Sequence, residues 1–315
     1  MTGAFLASRD ARMRMTFSGE QAKVALGGLL TSDVVALTAG GGQRGAALTP
    51  KGRVIALCRV FDRRRDLLVD ADATAAAGFT AMIRKFVNPR LAKYAVVTDT
   101  TGCVGVHGEG IASLLAPLLG IDANTLESLP PLSGTWSGAG DDETFVVRST
   151  ELSVPGFDLF GARTRIGSLR TALAAAGLGV ATEDALRAMR VEAGVPEWGV
   201  DMDAETIPQE AVLDEIGAIS FDKGCYTGQE VVARIHFRGH VNRLLRRLVS
   251  DTPLTTGSRV VDAEGKEIGD VRSSVISSTR GPLAIAMVRR EIEPGGEVLV
   301  TDNAGSTRAL VERMP

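Results

Sequence analysis

The segment FDKGCYTGQE, from Phe221 to Glu230, carries the residues best suited by type and spacing to do chemistry. Thr227 and Glu230 have the spacing of a capping box, and the apolar residues after them predict a helix that starts just beyond the cysteine. Backbone N–H groups at a helix N-terminus, together with the ammonium of Lys223, favour a thiolate over a thiol. Cys225 is therefore predicted to be a nucleophile, an oxidisable thiol or an iron ligand.

The competing interpretation of Cys225 is a buried structural cysteine, because free cysteines are among the most buried residue types. Gly224 and Gly228 flank it and permit tight turning and the close approach of a ligand to the backbone, which a merely buried cysteine does not need. Cys58 and Cys103 lie in apolar strand-like runs, so core packing is expected for both. The three cysteines and three histidines lack metal-ligand spacing, so no metal-ligating residue is predicted.

The stretch from Lys223 to Leu248 is locally basic in a chain whose formal charge is -3. Its one acidic residue is Glu230, and its basic residues are Lys223, Arg234, Arg238, Arg243, Arg246 and Arg247. A solvated helix and strand surface would explain the run. A site for a polyanion, such as a polyglutamate tail or an RNA backbone, would explain it as well.

Arg190 and Glu192 are predicted to lie at the end of a helix, where the chain turns sharply at Gly194 and Pro196. A carboxylate held there can accept hydrogen bonds from the amino and ring N–H groups of a pterin or purine-like ring, which present such donors side by side. The alternative is that both residues pair with other surface charges.

The elements that position these residues are those of a globular protein of two or three domains. The chain has 315 residues, of which 44% are hydrophobic and 23% charged, and this excludes a disordered or coiled-coil chain. Helices over Ile111–Leu119 and Glu183–Val191, among many short strands, predict an α+β fold, and closely spaced strands after Asn242 predict a β-barrel or sandwich. No apolar run is long enough for a membrane helix, so we expect no membrane partner and a cytoplasmic location.

The run KGCYTGQE resembles, at essentially all eight positions, the KGCYxGQE signature of the YgfZ-type folate-binding proteins, which assist iron-sulfur enzymes and belong to the superfamily of the glycine-cleavage T protein. The blocks GEQAKVALGGLLTSDV, LTPKGRVIALCRVF, RVEAGVPEWGVDM and EIGDVRSSVIS extend the resemblance over nearly the whole chain. It implies a three-domain cloverleaf around a folate-sized hole. The expected parts are a discontinuous folate-binding α+β domain (1–45 plus 144–241), an inserted ferredoxin-like domain (46–143) and a C-terminal β-barrel (242–315).

The resemblance also implies a ligand and a site. The ligand is tetrahydrofolate or a folate derivative, with Glu192 as the pterin-contacting carboxylate and Arg234 near the acidic tail of the folate. The site residues expected on this basis are Cys225 and Lys223 for catalysis, and Glu192, Arg190, Tyr226, Gln229, Glu230 and Arg234 for folate. Expected partners are folate and iron-sulfur enzymes or assembly factors, and the protein is taken as a monomer.

Two departures from the T proteins bear on activity. Those proteins carry an Asp pair, needed for methylene transfer, where this chain has Arg53–Leu57, and they have Lys where it has Gln229. We therefore expect an accessory protein for assembly or repair of iron-sulfur clusters, including those of tRNA-thiolating enzymes, rather than an aminomethyltransferase. Whether it is an enzyme stays open.

Two other functions remain as alternatives. One is a folate-dependent one-carbon transferase or demethylase, in which Asp62 or Asp99 would replace the missing carboxylates. The other is an RNA-binding module that uses Arg243, Arg246 and Arg247, which the aromatic content of 4% and the overall acidity disfavour.

Overall fold

The computed structural model describes residues 3–303 and 305–314 and shows a mixed α+β protein. Its strands are β1 (Phe5–Ser8), β2 (Met13–Ser18), β3 (Gly42–Leu48), β4 (Val54–Asp62), β5 (Leu67–Ala71), β6 (Lys93–Val96), β7 (Thr101–His107), β8 (Gly134–Ser137), β9 (Thr144–Arg148), β10 (Gly156–Ala162), β11 (Gly179–Val180), β12 (Arg243–Val249), β13 (Arg259–Val261), β14 (Glu267–Ser277), β15 (Gly281–Arg289), β16 (Glu297–Asp302) and β17 (Gly305–Glu312). Its α-helices are α1 (Ala22–Gly27), α2 (Ala76–Phe86), α3 (Ile111–Leu119), α4 (Ala123–Glu127), α5 (Arg163–Ala175), α6 (Glu183–Glu192) and α7 (Gln229–Arg238), and Ala73–Ala75 and Gly140–Asp142 are 3₁₀ turns.

Two open sheets pack face to face in the first two thirds of the chain. One has the order β3-β4-β5-β2-β6 and is covered on its outer face by α1 and α2. The other has the order β11-β1-β7-β10-β9-β8 and is covered by α3, α4 and α5. Phe61 and Phe160, from the two inner faces, have ring centroids 5.7 Å apart. Strands buried on both faces explain why β4 and β7 are apolar without alternation.

The C-terminal strands close into a barrel of order β12-β15-β14-β13-β16-β17, filled by its own apolar core. A separate apolar core joins the barrel to α6, to β3 and β4, and to the signature segment. The expected α+β class and terminal barrel are therefore confirmed. No helix in the described part of the chain is long and apolar enough to span a membrane.

The predicted domain boundaries do not separate the two open sheets from each other. The boundary at 45/46 lies inside β3, and that at 143/144 lies in the turn between the paired strands β8 and β9. Strands from the expected insert therefore belong to both open sheets, because β7 and β8 pair with β10 and β9. The barrel begins at Arg243, next to its predicted start. The division into three functional units stays a prediction.

Candidate functional site

The signature segment lies against the end of α1 and the turn between β3 and β4. The backbone N–H of Thr227 donates to the carbonyl of Gly28 at 3.0 Å. Gly228 has a φ of 83°, and a Cβ there would lie 2.6 Å from the carbonyl oxygen of Thr49. This glycine therefore serves the close packing of two chain segments, and only Gly224 faces open space.

Helix α7 starts differently from the prediction. It begins at Gln229 with Gly228 as the N-cap residue, and no side chain caps it. The predicted capping box between Thr227 and Glu230 is wrong, because the Thr227 backbone is bonded to Gly28 and the left-handed cap position is taken by a glycine. Glu230 is left exposed.

Lys223 holds the loop after α1. Its Nζ donates to the carbonyl oxygens of Gly27, Leu30 and Ser32 at 2.5, 2.7 and 2.9 Å. Burial lowers the pKa of this ammonium to about 8. An ammonium has three protons to donate, so all of them are engaged by backbone carbonyls. The geometry therefore shows a structural role for Lys223, and its predicted effect on Cys225 stays a prediction.

Cys225 is the accessible thiol among the described residues. Cys58 and Cys103 are buried in the sheets, as predicted, and burial raises the pKa of both thiols, to about 12 for Cys58. Cys225 is exposed, so the competing interpretation of a buried structural cysteine is wrong for it. The described residues supply no hydrogen bond to its sulfur, so exposure is the property that favours its reactivity.

The other predicted residues of this segment do not converge on Glu192. Tyr226 packs in the core between the barrel and α6, and burial raises the pKa of its hydroxyl to about 12. Gln229 is half-buried, and Glu230 and Arg234 are exposed. None of these four side chains lines either of the two cavities beside α6. As folate contacts they stay predictions.

The first cavity, which we call the arginine cavity, lies between α6, strands β3 and β4, and neighbouring loops that include Arg9 and Glu151. Its volume is about 260 Å³. Its wall contains six arginines, which are Arg9, Arg12, Arg44, Arg59, Arg187 and Arg190. Most of their charge is compensated locally: Arg12 pairs with Asp72, and Arg44 pairs with Glu151 at 2.9 Å. Burial alone would raise the pKa of Glu151, but Arg44 and the other arginines lower it to about 2.

Arg59, which is part of the wall of this cavity, forms ion pairs with both open sheets. Its side chain is 2% exposed, and its guanidinium contacts Asp70 of β5 at 2.6 Å and Asp158 of β10 at 2.5 Å. Arg12 contacts the same Asp70 oxygen at 2.8 Å. Burial opposes ionisation of Asp158, yet Arg59 and Arg9 hold the pKa of this carboxyl well below its usual range.

His107 is fully buried on β7 near this network, and burial lowers the pKa of its imidazole to about 4. The negative charge of Asp158 opposes this shift and the positive charge of Arg9 adds to it.

A histidine in an unfolded chain has a pKa of about 6.5, so between these two pKa values only the unfolded chain takes up a proton. We expect the free energy of unfolding to fall by up to about 3 kcal/mol as the pH drops through this window. The melting temperature of the His107→Gln variant should depend less on pH in this window than that of the parent protein. Exposed His240→Gln is the control, and equal slopes for both variants and the parent would contradict the assignment.

Arg190 fixes the segment that follows α6. Its Nη1 donates to the carbonyl of Val195 at 2.7 Å and to Asp201 at 2.5 Å, and its Nη2 donates to the hydroxyl of Ser273 at 3.0 Å. Its Nε lies 3.0 Å from Glu197. These contacts match the alternative in which Arg190 pairs with other protein charges.

Glu192 ends α6 on the face away from the arginine cavity. Its Oε1 accepts hydrogen bonds from the hydroxyls of Ser277 and Thr279, and its Oε2 accepts one from Ser153 at 2.5 Å. Its backbone carbonyl accepts one from Arg247 at 2.9 Å. A carboxylate has about four acceptor positions, so one remains on Oε2 after these contacts.

The second cavity, which we call the barrel cavity, lies between α6 and the barrel and contains Glu192 in its wall. Its volume is about 580 Å³. Most of the rest of the wall is apolar, from Ala188, Met189, Pro253, Leu254, Val275 and Ile276. Arg187 lies at the rim of both cavities. A cavity of this size with few polar groups is typical of a small-molecule site.

The basic stretch does not form one surface. Arg243 pairs with Glu210 at 2.9 Å, Arg247 pairs with Glu312 at 2.7 Å, and Arg246 is 8% exposed. Arg246 and Arg247 are buried, whereas Arg243 is 39% exposed and ion-paired, so these three arginines do not form one exposed basic surface and the RNA-binding alternative built on them stays a prediction. Within the described residues there is also no group of three or more His, Cys, Asp or Glu placed to hold a metal.

The GCVT N-terminal domain family matches residues 6–223 of the chain. The chain belongs to this family. It is 30% identical over 301 residues to an aminomethyltransferase of Saccharopolyspora erythraea, a match that covers 92% of this chain and 80% of the relative. It is 29% identical over 324 residues to the tRNA-modifying protein YgfZ of Klebsiella pneumoniae, covering 95% and 89%, and the YgfZ-type resemblance within the family is confirmed. The fold matches the glycine cleavage system aminomethyltransferase T of Bartonella henselae with a TM-score of 0.88 at 21% identity, over 100% of this chain and 86% of that one.

The segment Arg53–Leu57, where the resemblance led us to expect an Asp pair in the T proteins, contributes Leu57 to the wall of the arginine cavity. Of the two proposed substitutes, Asp62 pairs with Lys23 at 2.7 Å and Asp99 is exposed, and neither lines a cavity. The carboxylate that sequence reasoning missed is Glu197, which lines the arginine cavity, and burial raises its pKa. It lies in the RVEAGVPEWGVDM block, so its proximity to Arg190 in sequence was the available signal.

Proposed function

We propose that this chain is a folate-binding accessory protein that supports the assembly or repair of iron-sulfur clusters, including those of enzymes that thiolate tRNA, in the cytoplasm. The observation that carries the folate assignment is the position of Glu192 in the wall of the barrel cavity. The similarity to YgfZ proteins of Klebsiella pneumoniae and Escherichia coli, which are described as tRNA-modifying, supports the link to tRNA. The ligand is tetrahydrofolate or a derivative.

In this proposal the folate lies in the barrel cavity along α6. The donors of the pterin ring meet the free acceptor position of Glu192 Oε2, and the hydroxyl of Thr279, at 3.2 Å from Oε1, can turn away to free a second. The apolar side chains of Met189 and Val275 contact the aminobenzoyl ring. Arg187, whose exposed partner Asp184 lies in the same wall, offers its guanidinium to the carboxylates of the tail.

The thiol acts on a partner rather than on the folate. Cys225 lines neither cavity and is exposed, so a partner protein can reach its sulfur. The partners proposed on this basis are iron-sulfur enzymes or assembly factors. Folate binding and thiol chemistry are then separable functions of one chain.

The test combines folate titration with complementation of a strain that lacks the gene. We expect Glu192→Gln to weaken tetrahydrofolate binding at least about tenfold, because a charged hydrogen-bond acceptor is lost, whereas Cys225→Ser binds it normally. Neither variant should restore the activity of an iron-sulfur enzyme or tRNA methylthiolation. Glu264→Gln, which changes an exposed carboxylate in a barrel turn, is the matched control and should restore both.

Two outcomes would overturn parts of the proposal. Full rescue by Cys225→Ser removes the thiol from the mechanism. Normal binding by Glu192→Gln, with loss of binding when Leu57→Phe fills the arginine cavity, moves the folate to that cavity.

The similarity to an aminomethyltransferase favours a second candidate, a folate-dependent one-carbon transferase. Against it stands the arginine cavity, to whose wall the segment Arg53–Leu57 contributes Leu57 and no carboxylate. Three of the carboxylates in that wall, Asp72, Glu151 and Glu197, are engaged by arginines, and the fourth, Glu183, is exposed in the first turn of α6. Formation of methylenetetrahydrofolate from an amino donor at useful turnover would establish this candidate.

A further inference from the structure

Three rings form an exposed aromatic group at the C-terminal half of α7. The imidazole of His236 stacks on Phe221 with centroids 3.6 Å apart and planes at 15°. The ring of Phe237 stands edge-on to His236, with centroids 4.7 Å apart, and 68% of Phe237 is exposed. An exposed phenylalanine supported by two further rings offers a fixed apolar face that nothing in the described residues covers.

Exposed arginines lie on α7 and beside the chain that leaves it. Arg234 and Arg238 lie three residues before and one residue after Phe237, and both are exposed. Exposed Arg289 ends β15 and exposed Arg290 follows it, beside the chain that leaves α7, since the N–H of Arg290 donates to the carbonyl of Asn242 at 3.0 Å. Within residues 3–303 and 305–314 none of these four arginines makes an ion pair. We call the three rings and four arginines the α7 surface.

Acidic residues also border this surface, among them exposed Glu291, which follows Arg290. Glu230 is in the first turn of α7, about 10 Å along the helix axis from Phe237. Asp214 is a carboxylate that interacts electrostatically with His236. Asp222 is exposed next to Phe221. The exposed charged residues of α7 nearest Phe237 are therefore the cations Arg234 and Arg238, beside an aromatic face.

We propose that the α7 surface binds single-stranded RNA. An unpaired base stacks on Phe237, and the guanidinium groups contact the flanking phosphates, which is the combination that single strands require. An acidic protein segment would meet the arginines but would leave the exposed ring without a planar partner. The choice of RNA over DNA rests on the proposed function, while the stacking and charge argument is independent of folate.

The surface also lies close to the exposed thiol. Cys225 is four residues from Phe221, so an extended chain places their Cα atoms at most about 14 Å apart. An RNA held at Phe237 would thus lie near the place where a partner enzyme meets Cys225.

The experiment is fluorescence anisotropy of the full chain with a labelled single-stranded RNA of about ten nucleotides. Phe237→Ala should weaken binding about tenfold by loss of one stacked base. Arg234→Ala combined with Arg238→Ala should weaken it further and reduce the slope of log affinity against log salt by about 1.4, at about 0.7 per phosphate contact. Val180→Ala and Arg90→Ala, which change exposed residues far away in sequence, are matched controls and should bind as the parent does.

Several results would overturn the proposal: unchanged binding by the α7 variants, equal affinity for an RNA duplex, equal competition by polyglutamate, or equal or tighter binding of the same sequence as DNA. Because no folate and no iron-sulfur enzyme is added, failure here leaves the result of the Glu192 and Cys225 experiment unaffected. Thermal melting of each variant confirms that it is folded.

Discussion

Replacing Arg59 with methionine is expected to lower the free energy of unfolding by about 3–5 kcal/mol. The side chain is 2% exposed and is bonded to Asp70 and Asp158, so its removal leaves two buried carboxylates short of their positive partner. Asp70 keeps Arg12, at 2.8 Å, and Asp158 keeps Arg9 only at 3.5 Å. Since whole domains are stable by about 5–15 kcal/mol, a loss of this size should be obvious in chemical denaturation.

A milder variant keeps this prediction testable if Arg59→Met does not fold. Asp158→Asn preserves the shape and one acceptor while removing the charge, and we expect it to destabilise less than Arg59→Met but clearly more than a surface change. The control is Asp184→Asn, because its ion pair with Arg187 has side chains 92% and 49% exposed and is worth about 0–1 kcal/mol. If the buried and exposed variants denature at the same concentration of denaturant, Arg59 does not hold the two sheets together.

Local patterns predicted the parts of this structure that depend on neighbours in sequence. The helix predicted over Ile111–Leu119 is α3 with the same bounds, and that over Glu183–Val191 is α6, longer by one residue. Both have an apolar stripe at helical spacing, which marks a helix that buries one face. The β-barrel and the burial of Cys58 and Cys103 followed in the same way from apolar strands and turn signals.

The sites depend on contacts between distant segments, which no local pattern shows. The Arg59–Asp158 pair joins residues 99 positions apart, and Lys223 reaches carbonyls about two hundred positions earlier in the chain. A lysine two positions before a cysteine suggested a charge acting on the thiol, whereas the ammonium is hydrogen-bonded at the end of α1 and the loop after it. In the same way, Arg190 and Glu192 were expected to hold one ring, but they lie on opposite faces of α6 because two positions along a helix differ by about 200°.

Lys223→Met is the variant that separates a structural lysine from one that activates Cys225. Three carbonyls at the end of α1 would lose a charged donor, and hydrogen bonds to charged groups are worth about 1.5–3 kcal/mol each before relaxation and water entry reduce the loss. We expect the free energy of unfolding to fall by about 2–4 kcal/mol, measured by denaturant titration. The exposed Lys266→Met is the matched control and should change it little.

The rate of thiol alkylation against pH then distinguishes the two roles, because a nearby cation that stabilises a thiolate lowers the pKa that the rate reports. If Lys223 is purely structural, the folded Lys223→Met variant should lose stability but keep the dependence of the Cys225 alkylation rate on pH, since all three ammonium protons are bonded to carbonyls of α1 and the loop after it. Lys223→Arg should not restore stability fully, because a planar guanidinium cannot reproduce the three convergent bonds of an ammonium. A shift of the alkylation profile to higher pH without loss of stability would instead assign Lys223 to the thiol and contradict a purely structural role.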